Sequence, residues 1–334
     1  MSKFWPLIKL LPNRTKFHFV KYARVFGALS VLLVIGSIFF TVWPADNKCG
    51  GLTCGVDFLG GNLIEMSTRP DPVDLAEIRA SLNGMGVPDA QVQSYSVPGT
   101  DPTGRFHAMA KFGNLEGATA TETINQVKAG LTRDLGPEVR FTRTEAVGAA
   151  VSDELLTSGI MALVVAIILM MVYIWFRFEW QFGIGAVTGL FHDVILTFGL
   201  FAVTGMEFSL TTVAAVLTVI GYSMNDTVVV YDRIRENLRK FKKMPLGELI
   251  DLSLNETLSR TIMTGITTLF ALIALAVLGG GPLQPFAFAL IFGIVVGTYS
   301  SIYVAAPVLL IWGVKRGGKD EELKPIKLGM ASRP

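Results

Sequence analysis

Six long apolar runs punctuate the chain, at about Ala23–Trp43, Leu155–Phe176, Phe182–Val203, Leu210–Tyr231, Ile262–Leu278 and Phe286–Trp312. At about 1.5 Å of rise per residue, most are long enough to cross a hydrocarbon core of ~30 Å, so the pattern predicts six transmembrane helices. The first run follows a basic segment carrying Lys3, Lys9, Arg14, Lys16 and Lys21, an arrangement that a secretory leader shares. Its apolar part is long for a leader and no A-x-A site follows Trp43-Pro44, so a retained span is expected.

The stretch from residue 44 to 154 has a different rhythm. Asn62–Thr68, Ala90–Val97 and Arg105–Phe112 alternate apolar and polar positions, the last two joined by a Pro/Gly-rich turn, and Glu138–Glu145 reads as a fourth strand. Asp71-Pro72 opens a helix that runs to about Asn83 with Gly84 at its end, and Ala118–Asp134 forms a second. The order β-α-β-β-α-β is that of a ferredoxin-like split βαβ domain. The expected fold is therefore a polytopic α-helical membrane protein of six transmembrane helices, with a ferredoxin-like α+β domain inserted after the first. Its parts are an N-terminal segment (1–22), the first span (23–43), the inserted domain (44–154), a five-helix bundle (155–312) with a polar loop at 232–260, and a tail (313–334). Within that loop, Met244–Arg260 sets Leu246, Leu249, Ile250, Leu252 and Leu254 against Glu248, Asp251 and Glu256, which predicts a separate amphipathic helix on the membrane surface.

Charge fixes an orientation. Arg233, Arg235, Arg239, Lys240, Lys242 and Lys243 follow the fourth run; with the N-terminal basic residues and Lys315, Arg316 and Lys319 they share one side if there are six spans. The positive-inside rule then places both termini in the cytoplasm and the inserted domain on the opposite face. Hydrophobic residues make up 51% of the chain and charged ones 17%, with a net charge of +2, a balance that gives no reason to expect nucleic acid. Two cysteines and three histidines are too few for a disulfide framework or an evident zinc site. There is no Walker, HExxH or GxSxG motif, so no cofactor is expected and any energy source must be external or electrochemical.

The stretch Leu210–Asn237 carries the strongest chemical signal, because Asn225 and Asp226 lie inside an apolar run. A carboxylate at membrane depth costs at least ~2.5–3.5 kcal/mol and usually faces a bundle interior or a wet cavity. Counted from Leu210, Asp226 lies ~24 Å along the helix, and Arg260 enters the next span from the same side, so an acid–base pair is geometrically possible. The alternative is a packing ion pair, or an arginine that snorkels to the headgroups. His192-Asp193, about midway through its span, is a candidate proton relay; hydrogen bonding that holds helices together is the competing role. Gly185/Gly189 and Gly293/Gly297 are GxxxG pairs, read as packing devices. Cys49 and Cys54 (CGGLTC) follow the first span on the disulfide-permissive side, and a local disulfide is expected. GVDFLGG (55–61) reads as a tight turn into the first strand and lacks the helix a nucleotide fingerprint requires.

Several of these stretches together carry a resemblance: GVDFLGG (55–61), VGAAVSDEL (147–155), HDV (192–194), GMEFSLTTVAAVLTVIGYSMNDTVVVYDRIREN (205–237), LSRTIMTGITTL (258–269) and GTYSSIYVAAP (297–307). The chain resembles the SecF family, the smaller membrane subunit of the bacterial SecD–SecF accessory translocase within the proton-driven exporter superfamily. The resemblance implies a multi-pass protein of the bacterial inner membrane with a periplasmic inserted domain. It implies SecD as partner, work beside the SecYEG channel and a YajC-like accessory subunit, exported polypeptides as clients, and use of the proton-motive force. The NDT aspartate corresponds to Asp226 and the LSRT arginine to Arg260, both tied in the family to proton conduction; His192-Asp193 corresponds to the HD motif. The paired cysteines are outside the family pattern. The competing reading of the chain is half of a proton-driven small-molecule or lipid exporter, and two acids in spans, Asp193 and Asp226, also match the count for an intramembrane aspartyl protease without its motif context.

Overall fold

The structure is a computed structural model that describes residues 15–44, 49–87, 90–95, 101, 103–279 and 283–314. The flanking basic residues before 15 and after 314, the turn at 96–100 and the loop at 280–282 lie outside the described residues.

Helix α1 (Phe19–Val42) leads through strand β1 (Thr53–Cys54) and the one-turn helix α2 (Val56–Leu59) into the inserted domain. That domain comprises β2 (Gly61–Ser67), α3 (Leu75–Gly84), β3 (Gln91–Ser94), β4 (His107–Phe112), α4 (Ala120–Leu135) and β5 (Arg140–Val147). The bundle then follows as α5 (Ala149–Arg177), α6 (Trp180–Thr204), the short strand β6 (Glu207–Phe208), α7 (Leu210–Lys240), α8 (Leu246–Leu278), α9 (Gln284–Ser300), a π-helical turn (Ser301–Ala305) and α10 (Ala306–Trp312). Among the described residues six helical stretches are long and apolar enough to cross a bilayer: α1, α5, α6, α7, α8 and the continuous Gln284–Trp312. The π turn ends two residues before Pro307, which has no N–H to give to the preceding turn.

The inserted domain's sheet has the order β3-β4-β2-β5, antiparallel throughout, which is the ferredoxin-like arrangement. Helices α3 and α4 cover one face, where Ile64, Met66, Ala108 and Ala110 pack against Ile78, Leu82, Val127 and Leu131. Both helices are started by side chains: Asp74 accepts from the N–H groups of Ala76 and Glu77, and Thr119 with Glu122 forms a capping box. On the other face Glu65, almost fully buried in the central strand, is bonded to Arg143 at 3.1 Å and Tyr95 at 3.3 Å. Burial pushes the Glu65 carboxyl above its ordinary value against the pull of Arg143, and pushes the Tyr95 phenol up to about 12.

Asp101 is the polar anchor of the β4 entry. It accepts the N–H groups of Arg105 (2.9 Å) and Phe106 (2.7 Å) and shares a 2.9 Å bond with His107. Burial works against the charged form, but these hydrogen bonds outweigh it and hold the carboxyl well below the ordinary aspartate range. A depressed carboxylate stabilises the fold above its unfolded pKa of about 3.9, and that contribution disappears as pH falls through the lower folded value. Hydrogen exchange on the full-length protein checks this. Amide protection at Arg105 and Phe106 is expected to fall as pH drops below about 4, and Asp101→Asn is expected to flatten that acid limb. An identical acid limb in the variant would assign the protection to other groups.

The segment 232–260 differs from its sequence reading. Residues 232–240 continue α7, and 246–260 form the first half of the 33-residue α8, so the expected loop and separate surface helix are two helix extensions joined by a short turn. The physical reason is that the apolar face of 246–260 has a protein surface to cover. Leu246, Leu249, Ile250, Leu254 and Leu258 share one core with Tyr231, Ile234 and Leu238, and Asn237 bonds Ser253 and Glu256. The base of α1 is tied to the same extension, with Phe17 N–H on Asn255 and Val20 N–H on Asp251, each at 2.9 Å.

GVDFLGG also does more than turn. Val56–Leu59 form the one-turn α2, packed against α5. Phe58 is buried beside Phe208, and the Asp57 carboxylate accepts the Leu210 N–H at the start of α7 at 2.9 Å. β1 pairs in parallel with β6, next to the Cys49–Cys54 disulfide. Lys111 of β4 completes the junction with a largely buried 3.0 Å ion pair to Glu207 of β6. The inserted domain is thus bonded to the segment that begins α7.

Candidate functional site

The site lies where α6, α7 and α9 meet. Close approach there depends on small residues. A Cβ on Gly297 would stand 2.9 Å from the Ser223 Cβ, and one on Gly293 would collide with Val219, so the second GxxxG pair brings α9 against α7. Gly185 and Gly189 do the same for α6 against Tyr231 and Ala305. Tyr231 is fully buried and gives its hydroxyl to the Ala305 carbonyl at 2.9 Å, inside the π turn.

Asp193 is the hub. Its side chain has no exposure, and it accepts from Ser223 of α7 and from Ser300 of α9 (2.8 Å) while sharing a 2.9 Å bond with His192. Three helices therefore meet on one carboxylate. The His192 ring stacks on Tyr299, whose hydroxyl gives to the Phe26 carbonyl and bonds Ser30, extending the polar set to α1. The second ring nitrogen, Nε2, is buried without a hydrogen-bond partner.

Asp226 lies one turn beyond Ser223 on α7, with 3% of its surface exposed, and its Oδ2 is buried without a hydrogen-bond partner. Thr298 of α9 and Arg260 of α8 are the polar groups that bear on it. Among the described residues Arg260 makes no ion pair, and it is exposed on the flank of the bundle. The expected acid–base pair is thus present as neighbours, without a closed salt bridge. Asn225 points elsewhere: it is exposed and lines a groove of about 380 Å³ with Tyr173, Gly221 and Val228. Among the described residues no three His, Cys, Asp or Glu side chains assemble as a metal set.

Sequence reading missed Ser223, Thr298, Ser300 and Asp57. Isolated hydroxyls in apolar spans give no signal, because Ser and Thr commonly bond their own helix carbonyls, as Thr197, Thr218 and Thr268 do here. Asp57 carried a usable one: an acid followed by an aromatic, held between glycines.

Residues 127–315 match the family model described as "Protein export membrane protein SecD/SecF, C-terminal". That match covers more than half of the chain. The chain belongs to the SecD/SecF family. Similar members over nearly their whole length are the protein translocase subunit SecF of Cereibacter sphaeroides, 44% identical over 95% of this chain and 96% of the relative, and that of Rhodobacter capsulatus, 41% identical over 94% of each. Among solved structures, SecDF from Thermus thermophilus, a translocon-associated membrane protein, superposes with a TM-score of 0.77 at 34% identity, and SecDF in a super-membrane-facing form with 0.62 at 35%. The matches cover 90% and 89% of this chain but only 39% of each SecDF chain. This SecD/SecF-family chain therefore corresponds to one part of a larger SecDF polypeptide, and to nearly all of the separate SecF subunits.

Proposed function

We propose that the chain is the SecF-type subunit of a bacterial protein translocase that uses the proton-motive force to promote release of exported polypeptides. One observation carries the mechanism: Asp226, buried within a span, keeps one carboxylate oxygen unbonded and has an unpaired arginine, Arg260, on the adjoining helix. A structural carboxylate in such a place would be saturated, as Asp193 is. An unsaturated one is built to exchange a proton.

Protonation removes the desolvation cost of the buried charge and its attraction to Arg260. A charge crossing the membrane potential gains ~2.3 kcal/mol per 100 mV, so a driving force of about 150–200 mV supplies roughly 3.5–4.6 kcal/mol per proton. A complete switch of a two-state element from 1:99 to 99:1 requires ~5.5 kcal/mol. One proton biases such an element strongly, and two complete the switch. The route to the exterior is mechanical. Asp226 sits on α7, whose first residue is bonded to Asp57 and whose preceding strand is ion-paired to the inserted domain. Two SecDF structures match this chain at nearly the same coverage and identity but with TM-scores of 0.77 and 0.62, so related chains adopt different arrangements.

The partner is SecD. Asn225 of α7 and Arg260 of α8 are exposed at depths where lipid would leave their side chains unsatisfied, so a second bundle is needed to cover them. The wet path to Asp226 then runs along that seam. The protein sits in the inner membrane with both termini cytoplasmic and the inserted domain periplasmic, where its disulfide belongs. SecYEG and a YajC-like subunit complete the assembly. The test is purification from bacterial membranes together with a release assay for exported protein. SecD is expected to copurify, and an uncoupler is expected to abolish the contribution of this subunit to release. An uncoupler-insensitive contribution would replace the motor with a scaffold.

A further inference from the structure

On the side of α6 away from α7 the membrane part holds a crevice that the transport reading does not use. It is formed by two cavities of about 680 and 260 Å³ that share Ala23, Gly27, Pro307 and Ile311 as walls. One wall is α1, from Ala23 to Ile35; the others are Val187–Ile195 of α6 and the last span. The lining is almost wholly apolar. Of its polar side chains, Ser30 bonds Tyr299 at 2.8 Å and Thr188 gives to the Ile184 carbonyl at 2.8 Å, while His192, held by Asp193, and Tyr303 complete the lining.

Its length and its lining identify an occupant. From Ala23 to Ile35 the groove runs ~18 Å at helical rise, close to half of a ~30 Å hydrocarbon core, the depth of one leaflet. The slot lies along α1 and is walled by apolar side chains of α1, α6 and the last span, with a cation at one end. An acyl chain matches such a slot. At the shallow end, where α1 begins, Arg24 lines the smaller cavity. It is exposed, and among the described residues it has no carboxylate partner. A cation at the mouth of a leaflet-deep apolar slot matches a phosphodiester with an attached chain.

We propose that this crevice is a phospholipid site, with Arg24 holding the phosphate and one acyl chain lying along Gly27 and Val31 toward Ile35. Gly27 provides a clean test, because a Cβ added there meets nothing within 4 Å. Gly27→Leu directs a side chain into the slot from an unobstructed Cβ position and raises helix propensity. Native mass spectrometry of the full-length protein, purified in mild detergent, is expected to show a bound phospholipid on the wild type. Gly27→Leu is expected to lose it with no fall in melting temperature, and Arg24→Gln to retain less of it. In vesicles of phosphatidylethanolamine and phosphatidylglycerol doped with a diazirine-tailed phospholipid, labelling is expected on α1 and α10 peptides of the wild type and not of Gly27→Leu. Equal lipid retention and labelling by Gly27→Leu would overturn the proposal. So would a photoreactive side chain at position 27 that captures another protein subunit in membranes, since the slot would then be a protein interface.

Discussion

Asp226→Asn is expected to leave the chain folded, inserted and bound to SecD, while abolishing the uncoupler-sensitive part of protein release. The amide has the shape of the acid. The Oδ2 it replaces makes no hydrogen bond, so no partner is stranded. Its removal even spares the desolvation of a charge at membrane depth, at least ~2.5–3.5 kcal/mol. What the amide cannot do is titrate. The roughly 3.5–4.6 kcal/mol available per proton at about 150–200 mV corresponds to a bias of about 2.6–3.4 decades, at 1.36 kcal/mol per decade, and that entire bias is lost. Two measurements check it: proton flux into vesicles carrying the complex, and release of an exported reporter with and without uncoupler. Unchanged flux and release in the variant would remove Asp226 from the mechanism and leave it a packing residue.

Asp193→Ala is expected to fail in the opposite way, through stability. The alanine strands the Ser223 hydroxyl and the His192 ring nitrogen, while Ser300 retains a second acceptor in the Gly297 carbonyl at 3.2 Å. Each buried polar group left unpaired costs about 1–3 kcal/mol. The loss falls where Gly297 holds α9 within van der Waals contact of α7, a packing with no slack to absorb it. The variant should accumulate poorly and melt well below the wild type. Asp193→Asn retains the size and an acceptor oxygen and is expected to recover most of the stability. Export by the asparagine variant separates the two roles of the HD motif: near-normal release makes Asp193 a clamp, whereas loss of release in a stable protein makes it part of the proton path.

The contrast between these two aspartates was not visible in the chain itself. Both are single acids in apolar runs, and by hydropathy they carry the same signal. Helix rotation separates them. Asp193 points at two neighbouring helices that each supply a serine, and Asp226 is met by one threonine of α9 and by an arginine of α8 that closes no ion pair with it. Asn225, adjacent to Asp226, is turned outward by the same geometry, since neighbours on a helix face directions about 100° apart.

By itself the sequence determined the number of spans, the place of the inserted domain, its β-α-β-β-α-β order and the presence of a costly acid on the fourth span. These follow from local quantities, run length and periodicity, that each segment carries alone. Tertiary structure decided the rest: that 246–260 lies along α7 instead of on lipid, that Asp57 meets the start of α7 from 153 residues away, and that His192, Ser223 and Ser300 converge on Asp193. Helices that are apolar all the way round bear no stripe to say which face turns inward. That choice is made by the small residues through which neighbouring helices approach and by the polar groups that must find one another once water is gone.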